Sequence, residues 1–243
     1  MRKRLTLFVE GDGDKTAVPV LVKRLLTEMN AWDAVLLDPN VFKVGHISKL
    51  TGRHSGNWPR FLKAAARMKG QPLGGVLLLL DGDADYVIDD ETKQRERFCA
   101  ATVAQRLALK ARDAGAGTSF SVACVFACME YESWLLAGVE SLRGRSLPDE
   151  RGGVNADAPR PSADTDEHPR DAKKWFQQNM SAGYAPTTDQ QLLTELVDIN
   201  EIRRKRPRSF LRLEKALSEL CAAIRTGQHV ATPCTAPSRK TPA

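Results

Sequence analysis

The chain has 243 residues, of which 42% are hydrophobic and 27% are charged, and its formal net charge is +6. This composition is typical of a globular protein and excludes a fibrous or wholly disordered chain, while the positive charge favours a polyanionic partner. No run approaches the roughly 20 apolar residues that span a bilayer. The five cysteines lack C-x-x-C spacing. We therefore expect reduced thiols, a cytoplasmic location and no association with a membrane.

The first predicted element is a β-strand at residues 4–9, which leads directly into an acidic turn, Glu10-Gly11-Asp12-Gly13-Asp14. Thr16 is the expected N-cap of the amphipathic helix that follows. Glu10 thus follows a strand and precedes a helix, the usual place for a ligand site in an open α/β sheet. The turn is not a phosphate-binding loop, because Asp14 separates its second glycine from Lys15 and Thr16 replaces a third glycine.

Two short strands are predicted at residues 35–37 and 41–44, and a helix at residues 58–68. The segment between them, residues 45–57, is polar and carries His46, Lys49, Arg53 and His54. Zinc binding is not indicated, since no cysteine or carboxylate stands at ligand spacing from the histidines. The segment is either a solvated loop or a set of phosphate contacts, and its sequence leaves both interpretations open.

The central stretch of the chain is a leucine-rich run that ends in alternating carboxylates. Residues 74–80 read as a strand buried on both faces, and Asp81, Asp83 and Asp85 follow without a polar transition. Close carboxylates repel one another, and a divalent cation with oxygen ligands offsets that repulsion. The other interpretation is a simple Asp-Gly turn at the end of a strand. Asp81 and Asp83 are two residues apart and point the same way, whereas Asp85 lies farther into the loop.

A long helix is predicted at residues 91–114, followed by a buried strand at residues 119–127 that ends near Glu130 and Glu132. Acids therefore follow three predicted strands. The carboxyl ends of parallel strands meet at one edge of a sheet, so this pattern favours a shared acidic site over three separate turns.

The C-terminal half is predicted to be helical, with segments at residues 173–180 and 188–199 and a helix that begins at Ser209. The domain organisation that we expect is an α/β core at residues 4–143, an exposed loop or insertion at 144–170, a helical part at 171–226 that packs on the core, and a disordered tail at 227–243. The predicted fold class is α/β, with a central, mostly parallel sheet flanked by helices and an additional C-terminal helical part.

Several segments resemble the Toprim domain of topoisomerases, bacterial primases and OLD-family nucleases, and more narrowly the Toprim-like proteins of the DUF4276 family. Glu10 in Phe-Val-Glu-Gly matches the Toprim glutamate, and Asp81-Gly82-Asp83 matches its Asp-x-Asp. Asp14 stands where this family commonly has a second acid, usually glutamate. Residues 129–136, 184–190 and 206–210 resemble later family segments, so the resemblance covers residues 4–224.

The resemblance implies a Toprim-like (Rossmann-like) fold with a site for one or two Mg²⁺ or Mn²⁺ ions. The implied catalytic residues are Glu10, Asp81 and Asp83, which are also metal ligands together with Glu132. Groups around the metal, rather than direct ligands, would be Asp14, Asp85 and Glu130. Positive charge for substrate phosphates would come from Lys173, Arg203, Arg204, Lys205, Arg206 and Arg208. That basic run is equally well explained as a solvated helix start.

The function that the resemblance implies is a Mg²⁺-dependent nuclease, the effector of a bacterial anti-phage system that works with a separately encoded ATPase. Its partners would be DNA or RNA, the ATPase and, in one arrangement, further copies of the chain as a homo-oligomer. The alternative is a catalytically silent Toprim-like subunit that binds and regulates the ATPase. Few aromatic residues (6%) are present for stacking on single-stranded nucleic acid, which favours the alternative.

Overall fold

The structure is a computed structural model that describes residues 1–148, 151–161 and 171–234. Its strands and helices are, in chain order, β1 (Lys3–Val9), α1 (Asp12–Glu28), β2 (Val35–Lys43), α2 (Asn57–Arg67), β3 (Leu73–Asp81), β4 (Tyr86–Ile88), β5 (Arg95–Arg97), α3 (Ala100–Ala111), β6 (Ser121–Ala127), α4 (Glu132–Ala137), α5 (Ala172–Asn179), α6 (Pro186–Leu196), α7 (Ile199–Lys205), α8 (Arg208–Thr226) and β7 (Ala231–Thr232).

Five strands form one central sheet in the order β2-β1-β3-β6-β7, and every neighbouring pair is parallel. Strands β4 and β5 form a separate antiparallel hairpin. Strand β2 is added on one side of β1, and strands β3 and β6 are then added on its other side. The direction of winding therefore reverses between β1 and β3, which is where open α/β sheets bind ligands.

Side chains alternate between the two faces of the sheet, and each face has its own apolar core. Leu7 and Leu77 pack on one face with helices α1, α6, α7 and α8. Phe8 and Leu78 pack on the other face with α2 and α3. Strand β3 is covered on both sides, which explains its unbroken apolar run. The predicted α/β fold, with a parallel sheet flanked by helices and a C-terminal helical part, is confirmed.

The prediction of one helix over residues 91–114 is wrong at its start. Residues 86–97 form the β4–β5 hairpin, and the helix begins only at Ala100. The hairpin pairs Tyr86 with Arg97 and Ile88 with Arg95, and Lys93 turns the chain with a positive φ of 59°. Cross-strand pairing with residues that precede the segment overrode its helical periodicity.

Two other local predictions also need correction. Helix α1 begins at Asp12 rather than after Thr16, because the Gly11 N–H donates to Asp14 Oδ2 at 2.8 Å and caps the earlier turn. The two short strands predicted at 35–37 and 41–44 are a single strand, β2, whose register against β1 shifts in the middle. At that irregularity the buried Asp38 accepts hydrogen bonds from Arg4 and Thr6.

The described residues of the loop expected at 144–170 and of the tail expected at 227–243 make contacts with the core. Leu147 and Val154 are buried, and Val154 bridges to Arg143 and to Met180, so the described part of the loop packs on the core. Ala231–Thr232 extends the sheet beside β6. Both predictions missed these contacts because the anchoring residues are few and isolated in polar sequence. Residues 149–150, 162–170 and 235–243 of these two segments lie outside the described residues.

Across the described ranges, no helix is both long enough and apolar enough to cross a membrane.

Candidate active site

Glu10 and Asp81 meet at the carboxyl ends of the two strands between which the winding reverses. Glu10 directly follows β1, and Asp81 is the last residue of β3. The backbone N–H of Asp81 donates a hydrogen bond to Oε2 of Glu10 at 3.3 Å. The two acids that follow separate strands in the sequence therefore belong to one site.

A tight approach between the ends of β3 and β6 fixes the Asp81 carboxylate. The Tyr131 N–H donates to Asp81 Oδ1 at 2.9 Å, and the Gly82 N–H donates to the carbonyl of Met129 at 3.0 Å. A Cβ at Gly82 would lie 2.5 Å from the carbonyl oxygen of Ala127, so the crossing leaves no room for a side chain there. The glycine between the two aspartates thus has a steric role.

The ammonium of Lys173, on α5, lies among three carboxylates. Its Nζ is 3.3 Å from Asp81 Oδ2, 3.1 Å from Glu130 Oε2 and 3.6 Å from Glu132 Oε2. The Lys173 backbone N–H also donates to Glu130 Oε1 at 2.9 Å. Through these contacts, the C-terminal helical part supplies positive charge to acids that follow β3 and β6.

Glu132 is fully buried, and only one of its oxygens has a hydrogen-bond donor among the described residues. The hydroxyl of Tyr184 donates to Oε1 at 2.8 Å, whereas Oε2 has no hydrogen-bond partner in that part of the chain. Burial raises the pKa of Glu132 to about 7, although Lys173 and the Tyr184 hydroxyl both oppose the rise. The ammonium of Lys173 lies 3.6 Å from this second oxygen, beyond hydrogen-bond distance, so the oxygen is a buried atom that a metal ion could bind.

The pKa values of the two acids at the strand ends are also raised. Burial raises the pKa of Glu10 to about 7, and the nearby charges of Asp83 and Asp14 add to the rise. Burial likewise raises the pKa of Asp81 well above its ordinary value, against the lowering effect of Lys173. Burial alone would lower the pKa of Lys173, but the facing carboxylates outweigh burial and raise that pKa above its ordinary value. The site thus holds carboxylates with raised pKa values around a lysine that is positively charged at neutral pH.

The remaining predicted acids occupy different positions. Asp14 caps α1 and accepts a hydrogen bond from the Gln190 side chain at 3.1 Å. Asp83 is exposed, near enough to Glu10 to affect its pKa. Asp85 is exposed too and lines a groove beside the hairpin. The structure therefore gathers Glu10, Asp81, Glu130 and Glu132 around Lys173, with Asp83 at the margin.

Part of the predicted basic run is already occupied by ion pairs. Arg203 pairs with Glu28 and with Glu214, and Arg204 pairs with Glu201 at 2.8 Å. The two Arg203 pairs tie α7 to α1 and α8, and the Arg204 pair lies within α7. Arg203 and Arg204 thus have structural partners, and Lys173 is the member of the predicted basic set that contacts the acids.

The sequence did not single out Tyr131, Tyr184 or Gln190 as site residues. Tyr184 holds Glu132, Gln190 holds Asp14, and the hydroxyl of Tyr131 shares a hydrogen bond with Thr194 at 2.9 Å. Residues 184–190 had been noticed only for their resemblance to a family segment. No local pattern in the sequence indicates that they face the acids.

The donor chemistry of the site suits a divalent cation, although its side chains are not gathered around a single point. Carboxylate oxygens are the ligands that Mg²⁺ prefers, and Glu132 Oε2 is buried without a donor. As they stand, however, no three His, Cys, Asp or Glu side chains of residues 1–148, 151–161 and 171–234 are placed to hold a metal ion. The ammonium of Lys173 occupies the centre of the acids instead.

Comparison with known proteins gives one match. Searches of curated proteins and of solved structures found no significant similarity. The family described as "Domain of unknown function (DUF4276)" matches residues 9–218, a span that contains Glu10, the Asp81 turn, Lys173 and the C-terminal helices as far as the middle of α8. The chain belongs to the DUF4276 family.

Proposed function

We propose that the protein is a metal-dependent nuclease, related to Toprim domains, that hydrolyses phosphodiester bonds of DNA or RNA. The observation that carries this proposal is the meeting of Glu10 and Asp81 at the reversal point of a parallel sheet. Acids at that edge, with raised pKa values and a lysine among them, are unusual for a purely structural cluster. The positive net charge of the chain is consistent with a polyanionic substrate.

The residues that would hold one or two Mg²⁺ or Mn²⁺ ions are Glu10, Asp81 and Asp83, with Glu132 as a further ligand. Bound ions of this kind act as Lewis acids toward a phosphate. Glu130 and Asp14 would orient these groups, Glu130 through its contact with Lys173 and Asp14 through the cap of α1.

The side chains have separable roles in the proposed hydrolysis. Glu10 would either bind a metal ion or act as the general base that accepts a proton from the attacking water, and in the metal-free protein burial raises its pKa to about 7. Lys173 is a charged donor with a partly exposed side chain, so it can contact a non-bridging phosphate oxygen. Tyr184 holds the Glu132 carboxylate, and the N–H of Tyr131 holds that of Asp81.

The finer parts of the proposal rest on the resemblance to Toprim proteins. They are the role as an anti-phage effector, the separately encoded ATPase partner, assembly into a homo-oligomer and a cytoplasmic location. The genes beside this one are the quickest observation that bears on them, since a neighbouring ATPase gene supports the partnership.

The direct test is cleavage of DNA and RNA by the purified protein in Mg²⁺, in Mn²⁺ and in EDTA. We expect cleavage that requires a metal and is lost in Asp81→Ala. Cleavage that persists unchanged in the variant would assign the activity to a contaminant. Absence of cleavage in both metals, also in the presence of any ATPase that a neighbouring gene encodes, would reject the nuclease.

A second candidate function is a catalytically silent subunit that binds and regulates a partner ATPase. The observation that favours it is the position of Lys173, whose ammonium already neutralises the carboxylates that a metal would need. Calorimetry separates the two candidates. Mg²⁺ binding that Asp81→Asn abolishes supports the nuclease, whereas tight ATPase binding without any Mg²⁺ binding supports the silent subunit.

A further inference from the structure

A groove of about 940 Å³ lies on the same edge of the sheet as the acids. One wall is residues 46–54, which follow β2, and the other is the β4–β5 hairpin, which follows β3. Ala84 and Asp85 line the groove, and the turn that contains them begins at Asp81. The groove therefore adjoins the candidate active site along the chain itself.

The lining of the groove is strongly basic. It includes His46, Lys49, Arg53, His54, Lys93 and Arg95, against one acid, Asp85. Within the described ranges, no carboxylate forms an ion pair with Lys49, Arg53, Lys93 or Arg95. Unpaired cations that converge on one groove form a site for a polyanion.

Three acids of the hairpin form ion pairs with cations of α3. Asp89 lies 3.1 Å from Arg106, which also pairs with Glu96, and Asp90 lies 2.9 Å from Lys110. These three carboxylates therefore have cationic partners on α3, and none of the three lines the groove. The separation of charge across the hairpin thus leaves its cations Lys93 and Arg95 facing the groove.

The two walls of the groove are fixed to each other. The Gly52 N–H donates to Asp90 Oδ1 at 2.7 Å. Gly52 has a φ of +59°, and a Cβ on it would lie 2.7 Å from Ile88. Only glycine allows both this backbone conformation and this approach, so the spacing of the walls is set in the free protein.

An exposed aromatic ring stands among the cations. Tyr86 is 45% exposed, and the Arg95 guanidinium lies 3.8 Å from the centre of its ring. Cations that follow a phosphate backbone, combined with an aromatic ring on which a base stacks, are the features of sequence-tolerant binding to single-stranded nucleic acid.

We propose that this groove binds single-stranded nucleic acid, with Arg53 and Lys93 contacting its phosphates and Tyr86 stacking on a base. The choice of ligand rests on the proposed nuclease function, for which the groove would hold the substrate next to the acids. The polar segment at residues 45–57 is thereby assigned to phosphate contacts rather than to a solvated loop.

The test measures binding apart from cleavage. Fluorescein-labelled dT and U oligonucleotides of about a dozen nucleotides are titrated with protein in EDTA, over a series of salt concentrations, and followed by anisotropy. The test variant is Arg53→Gln with Lys93→Gln. The matched control is Arg67→Gln with Lys69→Gln. It removes the same charge from the exposed last residue of α2 and from an exposed residue before β3, at the opposite edge of the sheet.

We expect the test variant to weaken binding at least about tenfold and to make the salt dependence shallower by about 1.4 in the logarithmic slope, the value for two phosphate contacts. The control should change affinity by about twofold or less. Tyr86→Ala should weaken binding about tenfold, and Tyr86→Phe should retain it. Unchanged thermal unfolding midpoints show that each variant is folded.

Equal weakening by the test and control variants would overturn the groove, as would the absence of binding to either oligonucleotide. Two separate readouts distinguish this inference from the nuclease, because binding is measured in EDTA and cleavage is measured in Mg²⁺ or Mn²⁺. Groove-dependent binding without metal-dependent cleavage rejects the nuclease and keeps the groove. Metal-dependent cleavage, with binding that is unchanged in the Arg53 and Lys93 variant, rejects the groove and keeps the nuclease.

Discussion

The backbone N–H of Asp81 donates to Oε2 of Glu10 at 3.3 Å, and this bond joins the ends of two neighbouring parallel strands. The contact uses the main chain of Asp81, whose carboxylate is directed instead to the Tyr131 N–H and to Lys173. A substitution at Asp81 can therefore remove the side-chain charge without breaking the contact that positions Glu10.

Asp81→Asn should reduce cleavage on the order of a hundredfold or more, because it removes the proposed ligand charge at the centre of the site. Asp85→Asn should reduce it less than about tenfold, since Asp85 is exposed and lies farther along the turn. Initial rates in Mg²⁺, with thermal unfolding as a check on folding, measure both. A larger loss of cleavage in Asp85→Asn than in Asp81→Asn would show that the wrong aspartates of this turn are assigned to the active site.

Lys173→Met should destabilise the metal-free protein by about 1–3 kcal/mol, because it leaves the carboxylates of Asp81, Glu130 and Glu132 without their cation. The exposed neighbour Lys174→Met is the matched control and should have little effect. If the acids hold a divalent ion, Mg²⁺ should raise the unfolding midpoint of Lys173→Met more than that of wild type. An equal response in both proteins would argue against a metal among these acids.

The strand ends could be predicted from the sequence because an apolar run that stops at an acid is a local pattern. Glu10, Asp81 and Glu132 were found in this way, and the parallel sheet followed from alternating strands and helices. The role of Tyr184 was not found, because its hydroxyl meets Glu132 only after α5 and the following turn fold onto β6. Contacts between distant segments leave no periodicity in a single chain.

The β4–β5 hairpin also could not be predicted from local sequence patterns. Residues 91–97 continue a helical pattern, yet Arg95 and Arg97 pair with β4 and Glu96 contacts Arg106 of α3. The tertiary ion pair and the preceding strand outweigh a weak local preference. The basic groove could therefore not be predicted as a unit, because the sequence indicates only the cations of residues 45–57 and not Lys93 and Arg95 of the hairpin.

Glu132 should make the stability of the metal-free protein depend on pH. Its folded pKa is raised from 4.5 to about 7, so the folded state binds the proton more tightly than the unfolded state. That contribution to the free energy of unfolding is complete below about pH 4.5 and is lost as the pH rises to about 7. Glu132→Gln should therefore match wild type near pH 4.5 and be more stable at pH 8, by up to about 3 kcal/mol.

Urea denaturation at a series of pH values checks this prediction, with the exposed Glu195→Gln as a control for the loss of one negative charge. A Glu132→Gln protein that is less stable than wild type at pH 8 would contradict it. That result would mean that Lys173 and Tyr184 favour the carboxylate by more than burial disfavours it.

Gly13→Ala should destabilise the protein by about 1–3 kcal/mol, because the α1–α6 interface has no room for a side chain. A Cβ at Gly13 would lie 2.2 Å from Gln190 Oε1 and 2.8 Å from the carbonyl oxygen of Pro186. Gly56→Ala is the matched control: its Cβ would meet nothing within 4 Å, and its φ of −69° suits alanine. The control should be neutral or stabilising by up to about 1 kcal/mol. Because Gln190 also holds Asp14, Gly13→Ala should lower cleavage in Mg²⁺ as well, whereas equal stability of the two variants would show that α6 does not pack on α1 as described.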